Sequence, residues 1–223
     1  KCPVPRPAMK ALMQRDDAHA VRDTLLWYAM VLASGALFVW CWMQGVATGW
    51  LVAAWLLYAA LYCGPADSRW HESSHGTTFK TRWMNDALYQ AACFQVLRRP
   101  TVWRWSHTRH HTDTLVVGLD PEIAAPVPTQ WLRMLLNLVA IPHVWGQTKG
   151  LLMNAAGHVS AEERTFIPEM EIPKVVREAR LWLVAYALVI GTALALHSWL
   201  PLLLVGAPAD RKSTRLNSSH GYI

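Results

Sequence analysis

Polar and apolar positions along this chain separate into long blocks. Lys1 to Asp23 is polar and of mixed charge, with Lys1, Arg6, Lys10, Arg15 and Arg22 set against three aspartates. Pro3, Pro5 and Pro7 fix φ and remove amide donors, so no continuous helix is expected at the very start. Thr24 to Val46 then carries no charged residue, and an apolar run of that length crosses the hydrocarbon core of a bilayer as a helix. Gly45 to Gly49 is a short uncharged turn. Trp50 to Cys63 is apolar again and stops at Gly64-Pro65, short for a span unless it extends into the residues that follow. Together the two runs predict a transmembrane hairpin.

The pattern changes after Pro65. Trp70 to Tyr89 is amphipathic, and Asn85 to Val96 predicts an interfacial helix ending near Arg98-Arg99-Pro100. Thr101 to Thr112 predicts another, beginning just after that proline. Gly118-Leu119-Asp120-Pro121 is a turn signal. Trp131 to Trp145 is apolar but interrupted by Arg133, Asn137 and His143, which suits a re-entrant or interfacial helix, or a short span. Gly157 to Glu171 reads as a polar loop. Lys174, Arg177 and Arg180 precede Leu181 to Leu196, a third span. His197 to Pro201 breaks it, and Leu202 to Pro208 starts a fourth. The fold class is therefore all-α: a multi-span transmembrane protein with a histidine-rich helical cap.

Composition agrees with this. Of 223 residues, 53% are hydrophobic and only 16% charged, where soluble chains carry about a quarter charged. The 13 tryptophans suit membrane–water interfaces. Nothing resembles a nucleic-acid-binding module, so the formal charge of +6 reads as membrane topology rather than nucleic-acid affinity. Lysine and arginine crowd the N-terminal segment and the region from Arg69 to Arg109, while the hairpin turn has none. The positive-inside rule then places the N-terminus and the cap in the cytoplasm. Cys2, Cys41, Cys63 and Cys93 form no C-x-x-C pair, so they read as reduced, buried thiols rather than a disulfide framework or a zinc–thiolate site.

The candidate chemistry lies between Trp70 and Thr114. Five of the ten histidines occur in two clusters, His71-Glu72-Ser73-Ser74-His75 and His107-Thr108-Arg109-His110-His111. On a helix, positions three or four apart share a face, so His71 can ally with His75, and His107 with His110 or His111. Five imidazoles exceed the three protein ligands of an ordinary catalytic zinc site. They point to two metals with open positions, an arrangement suited to iron and oxygen. A rival reading takes His71-Glu72-x-x-His75 as a zinc protease motif with Glu72 as general base, but it leaves the second cluster unexplained. A catalytically silent membrane protein is the third reading. Glu72, Asp113, Asp120 and Glu122 are candidates to orient ligand histidines, with ordinary surface or loop acids as the plainer reading. His143, His158 and His197 are read as non-ligands. Trp27, Trp50, Trp70, Trp103 and Trp105 are read as interfacial anchors, with an acyl tunnel lining as the alternative.

His71-x-x-x-His75 followed by His107-x-x-His110-His111 resembles the first two histidine boxes of the membrane fatty acid desaturases. The flanks Trp70-His71-Glu72, His75-Gly76-Thr77 and Trp103-Arg104-Trp105-Ser106-His107 resemble bacterial members, most strongly over Gly64 to Glu122. The resemblance implies a non-haem di-iron centre, two Fe ions on His71, His75, His107, His110 and His111, with no catalytic residue beyond those ligands. It implies O2-dependent desaturation of a fatty acyl substrate, linked to lipid, CoA or a carrier protein. Electrons would come from ferredoxin or a cytochrome b5. A hydroxylase or ketolase of the same superfamily is the nearest alternative. The family's third box, His-x-x-His-His, has no counterpart in this sequence. Asp210 to Ile223 resembles a translated sequencing adapter, so the expected organisation is one incomplete membrane domain over 1–209 and a non-native tail over 210–223. On that reading the fragment is expected to be inactive.

Overall fold

The computed structural model describes residues 4–122, 132, 135 and 141–206, with 141–143 described by backbone alone. The described residues are helical and contain no strand. In order they are α1 (Arg6–Leu12), α2 (Asp17–Gln44), α3 (Thr48–Ser74), α4 (Arg82–Gln95), α5 (Pro100–Thr112), α6 (Ile141–Ala155), α7 (Ala161–Arg164), a 3-10 turn at Glu169–Glu171, α8 (Ile172–Ala195) and α9 (Leu200–Val205). Three segments are long and apolar enough to cross a bilayer: Arg6–Gln44, Thr48–Ser74 and Glu169–Ala195. Their outward faces carry Leu25, Leu32, Met43, Trp50, Leu181 and Leu188, all exposed. Lipid is the solvent such faces require, and this is a membrane protein.

The hairpin is built as the pattern predicts. Asp16 starts α2 by accepting the Ala18 N–H at 2.9 Å, and Gly45, at φ 61°, turns it off in the left-handed region, where glycine has no Cβ penalty. Helices α2 and α3 run antiparallel and pack closely. A Cβ on Gly35 would stand 3.1 Å from the Tyr58 ring. Phe38, Cys41 and Ala54 form the core toward the turn, and Trp27, Val31, Tyr58, Tyr62 and Trp70 the core toward the other end.

The second apolar run takes the longer of the two expected forms: α3 continues past Gly64-Pro65 as one helix to Ser74 with Pro65 inside it. Proline removes the amide that would bond the carbonyl four residues back, here Leu61, and an orphan carbonyl is costly away from water. The buried Trp27 indole N–H donates to that carbonyl at 2.8 Å. Trp27 is therefore a surrogate donor, not an interfacial anchor. Short α9 is served in the same way. The carbonyls of Leu203 and Leu204 lie in its last turn and accept from Trp55 Nε1 at 3.0 Å and the Tyr58 hydroxyl at 2.6 Å. The predicted start of a fourth span thus lies against the hairpin over 200–205, and its continuation from 207 lies outside the described residues. So does most of the predicted helix Trp131–Trp145, although the described part of α6 starts inside it. The predicted loop Gly157–Glu171 contains α7, closed by a capping box between Ser160 and Glu163.

A polar knot fixes the start of α5. The Arg99 guanidinium pairs with Glu163 and bonds Asn154 Oδ1 at 2.8 Å. Asn154 is almost fully buried and donates to the His158 carbonyl at 3.1 Å. Glu163 also accepts the Ser160 N–H at 3.0 Å. From the third span, Glu178 accepts the Thr101 N–H at 2.9 Å, one of the amides that the first turn of α5 leaves without a helical partner. Burial alone would raise the Glu163 carboxyl, but Arg99, the Ser160 amide and Asn154 outweigh it and hold it below its ordinary 4.5.

Two outcomes follow. Trp27→Phe should cost about 1 kcal/mol of stability, and clearly less in a Pro65→Ala background, where the helix supplies its own donor; unfolding in detergent micelles reads both. Because the folded Glu163 carboxyl lies below its unfolded value, its contribution is complete above about pH 4.5 and lost as pH falls through the folded value. Glu163→Gln should lower the neutral-pH melting temperature and flatten the acid limb of a Tm–pH curve.

Candidate metal centre

Continuation of α3 past Pro65 carries His71 on its last turns, and His75 is the residue that closes the helix. Gly76 then turns the chain at φ 64°, and the Arg15 guanidinium holds its carbonyl from the N-terminal segment. Asp17 ties the same loop down through the Thr81 amide at 3.0 Å and the Thr81 hydroxyl at 2.6 Å. Helix α4 leads back, and Pro100 at its first turn starts α5. His107, His110 and His111 then lie on successive turns of one short helix.

The two clusters meet. One nitrogen from each of His71, His75, His107 and His111 lies within 4.8 Å of all the others. His107 Nε2 is 3.1 Å from His75 Nε2 and 3.1 Å from His111 Nε2. Two nitrogens bound to one metal at ~2.05 Å stand about 2.9 Å apart at a right angle and about 3.3 Å apart at a tetrahedral angle. The two 3.1 Å pairs fall between these values. The donor chemistry also fits, because three of these four rings retain access to solvent or substrate while His107 is buried.

His110 is placed differently. Its Nδ1 lies 2.9 Å from both oxygens of Asp120, and its ring stacks on His107 with centroids 6.0 Å apart. It stands behind the four-nitrogen group rather than in it. Asp120 is itself fixed, accepting the Leu115 N–H at 2.9 Å and the Glu122 N–H at 2.8 Å. Burial pushes its carboxyl up, but those two amides and His110 prevail and hold it below the usual range. Glu122 does the same for His107. Its Oε2 is 3.2 Å from Nδ1, and its Oε1 accepts the Ser106 hydroxyl at 3.0 Å. Burial raises this carboxyl too, and His107 and Ser106 bring it below its ordinary value. An ionised carboxylate only accepts, so the proton of His107 sits on Nδ1 and the Nε2 lone pair faces the cluster. That is the arrangement in which a carboxylate orients a metal-bound imidazole.

These two acids are the residues the sequence undervalued. They sit in a loop behind a turn signal, where ordinary acids abound; only the ten- and fifteen-residue returns to His110 and His107 distinguish them. The other candidates keep the plainer role. Glu72 is exposed and pairs with Arg69 at 3.5 Å, and Asp113 pairs with Arg109. His158 and His197 are exposed and outside the cluster, and the side chain of His143 lies outside the described residues. Trp50 is 74% exposed, as an anchor would be, whereas Trp70 is buried against the rings of His71 and His107.

A sequence model of the family described as fatty acid desaturase matches residues 48–209. Neither a curated protein nor a solved structure matches the chain.

Glu122→Gln should weaken divalent metal binding by about 10–100-fold, the usual effect of losing a carboxylate behind a ligand imidazole. Glu72→Gln should leave affinity within about twofold. Cobalt titration of the detergent-purified protein measures both, and equal losses would remove Glu122 from this role.

Proposed function

The chain belongs to the fatty acid desaturase family, and from that premise we propose that it inserts a double bond into a fatty acyl chain, with O2 as the oxidant, at a di-iron centre. The observation that carries this reading is the convergence of four imidazole nitrogens from two separate helices. His71, His75, His107 and His111 would hold metal, and His110, seated on Asp120 through Nδ1, would serve the second ion. Iron bound there supplies the activation of O2 needed to take hydrogen from an unactivated methylene. Two hydrogens leave adjacent carbons, and two electrons from a carrier arrive with two protons from solvent, so that both oxygen atoms of O2 end as water.

The protein's own residues orient and select. Glu122 and Asp120 fix the rings of His107 and His110 and keep a proton on each Nδ1. The exposed Arg15, Lys80 and Arg82 lie at the histidine end of the bundle and would favour an acidic electron carrier of the ferredoxin or cytochrome b5 kind. By the positive-inside rule that end is cytoplasmic. The substrate, as a lipid, CoA or carrier-protein ester, would enter where α3 leaves the membrane. One membrane domain over 1–209 would contain all of this. The zinc protease reading is the weaker one, because it gives no role to His107 and His111, whose nitrogens converge with those of His71 and His75.

The full-length protein loaded anaerobically with ferrous iron should hold about two irons per chain, and His107→Ala should lose most of them. Fatty acids from cells carrying the full-length gene should gain a double bond in an O2-dependent manner, read by mass spectrometry. A hydroxylated product would move the assignment to a hydroxylase. One zinc with peptide cleavage would overturn it.

A further inference from the structure

A buried cation stands between the two histidine helices. Arg98 follows the end of α4, and its side chain is only 4% exposed. Its guanidinium lies 4.4 Å from the centre of the Trp70 ring and 4.1 Å from that of Trp103, in the corner of two indoles whose planes meet at 60° with centroids 5.9 Å apart. Asp67 completes the group, accepting Trp70 Nε1 at 2.8 Å and Arg98 at 3.3 Å. Trp70 adjoins His71 on α3. Trp103 sits one turn before His107 on α5. The Trp70 ring in turn meets His71 and His107 in T-shaped contacts, with centroids 5.8 Å and 5.4 Å away. One indole therefore touches an imidazole from each cluster, and one arginine clamps that indole.

The backbone is bent to deliver this arginine. Leu97 adopts φ 53°, a left-handed conformation that a branched side chain rarely takes. It closes α4 as glycine usually does, with the Leu97 N–H on the Phe94 carbonyl at 3.3 Å and the Arg98 N–H on the Cys93 carbonyl at 2.8 Å. An aliphatic side chain would fill the same space without the cost of burying a charge. What the charge adds is direction, because a cation held in the corner of two indoles attracts the π system of each and restrains the rotation of both rings.

We propose that Arg98 is a positioning residue for the metal centre, acting through Trp70 to set how the His71 and His107 rings face one another. The inference rests on the metal reading above. An internal comparison exists on α5, where the Arg104 guanidinium lies 4.4 Å from the Tyr89 ring centre but Tyr89 touches neither cluster.

Cobalt titration and ligand-field absorption of the whole detergent-purified chain test it. Arg98→Met should lower cobalt affinity by about tenfold or more, on the scale of other groups behind metal ligands, and should change the absorption pattern. Arg98→Lys, charged but not planar, should fall between. Arg104→Met should stay within twofold with an unchanged spectrum. Trp103→Leu removes one wall of the corner that holds Arg98, and its smaller loss with the same spectral change keeps the test open if Arg98→Met does not fold. Wild-type affinity and spectrum in the Arg98 and Trp103 variants, or an equal loss in Arg104→Met, overturns this inference alone. A wild-type chain that takes up no cobalt overturns the metal reading and this inference with it.

Discussion

The structure depends on one helix passing from lipid into water without a break. At about 1.5 Å per residue the 27 residues of α3 extend about 40 Å, some 10 Å more than a hydrocarbon core. The excess carries His71 and His75 out of the apolar region while keeping them on the rigid rod that anchors the fold. Pro65 lies where this could fail. The indole of Trp27 answers the carbonyl that Pro65 leaves open, so a side chain on the first span maintains the element that presents the first histidine cluster.

The second cluster is presented by a shorter helix, and short helices are held by their surroundings. Each end of α5 is tied by charge. Glu178, Arg99 and Glu163 secure its start, and Asp120 and Glu122 secure the rings on its last turns. Glu163 faces the Arg99 guanidinium and the other acids face amides, a hydroxyl and imidazoles, so burial is offset within the protein. Rings held in this way are preorganised, and a metal arriving among them need not order them first.

Much of this was legible in the sequence. The uncharged runs located the spans, and the spacing of the five histidines placed each cluster on one helical face. What stayed hidden were partners set by tertiary contact. No local pattern announces that Gly64-Pro65 will be bridged, because the bridging indole lies 34 residues from the carbonyl it serves. Asp120 and Glu122 look like any acids in a loop. His110 reads as an equal of His107 and His111 until the fold shows it turned to its own carboxylate. Arg98 reads as part of a basic interfacial run until it is found between two rings.

Order of synthesis gives the Glu178 contact a further meaning. The imidazoles of the two clusters are separated by 32 residues between His75 and His107, and all have been made before α8 begins. The carboxylate that closes the first turn of α5 follows Thr101 by 77 residues. At about 5–20 residues per second, the histidines wait several seconds on a helix whose leading amide is still open. Insertion of the third span is then the event that completes the helix, and the site matures on the timetable of membrane assembly rather than of local folding.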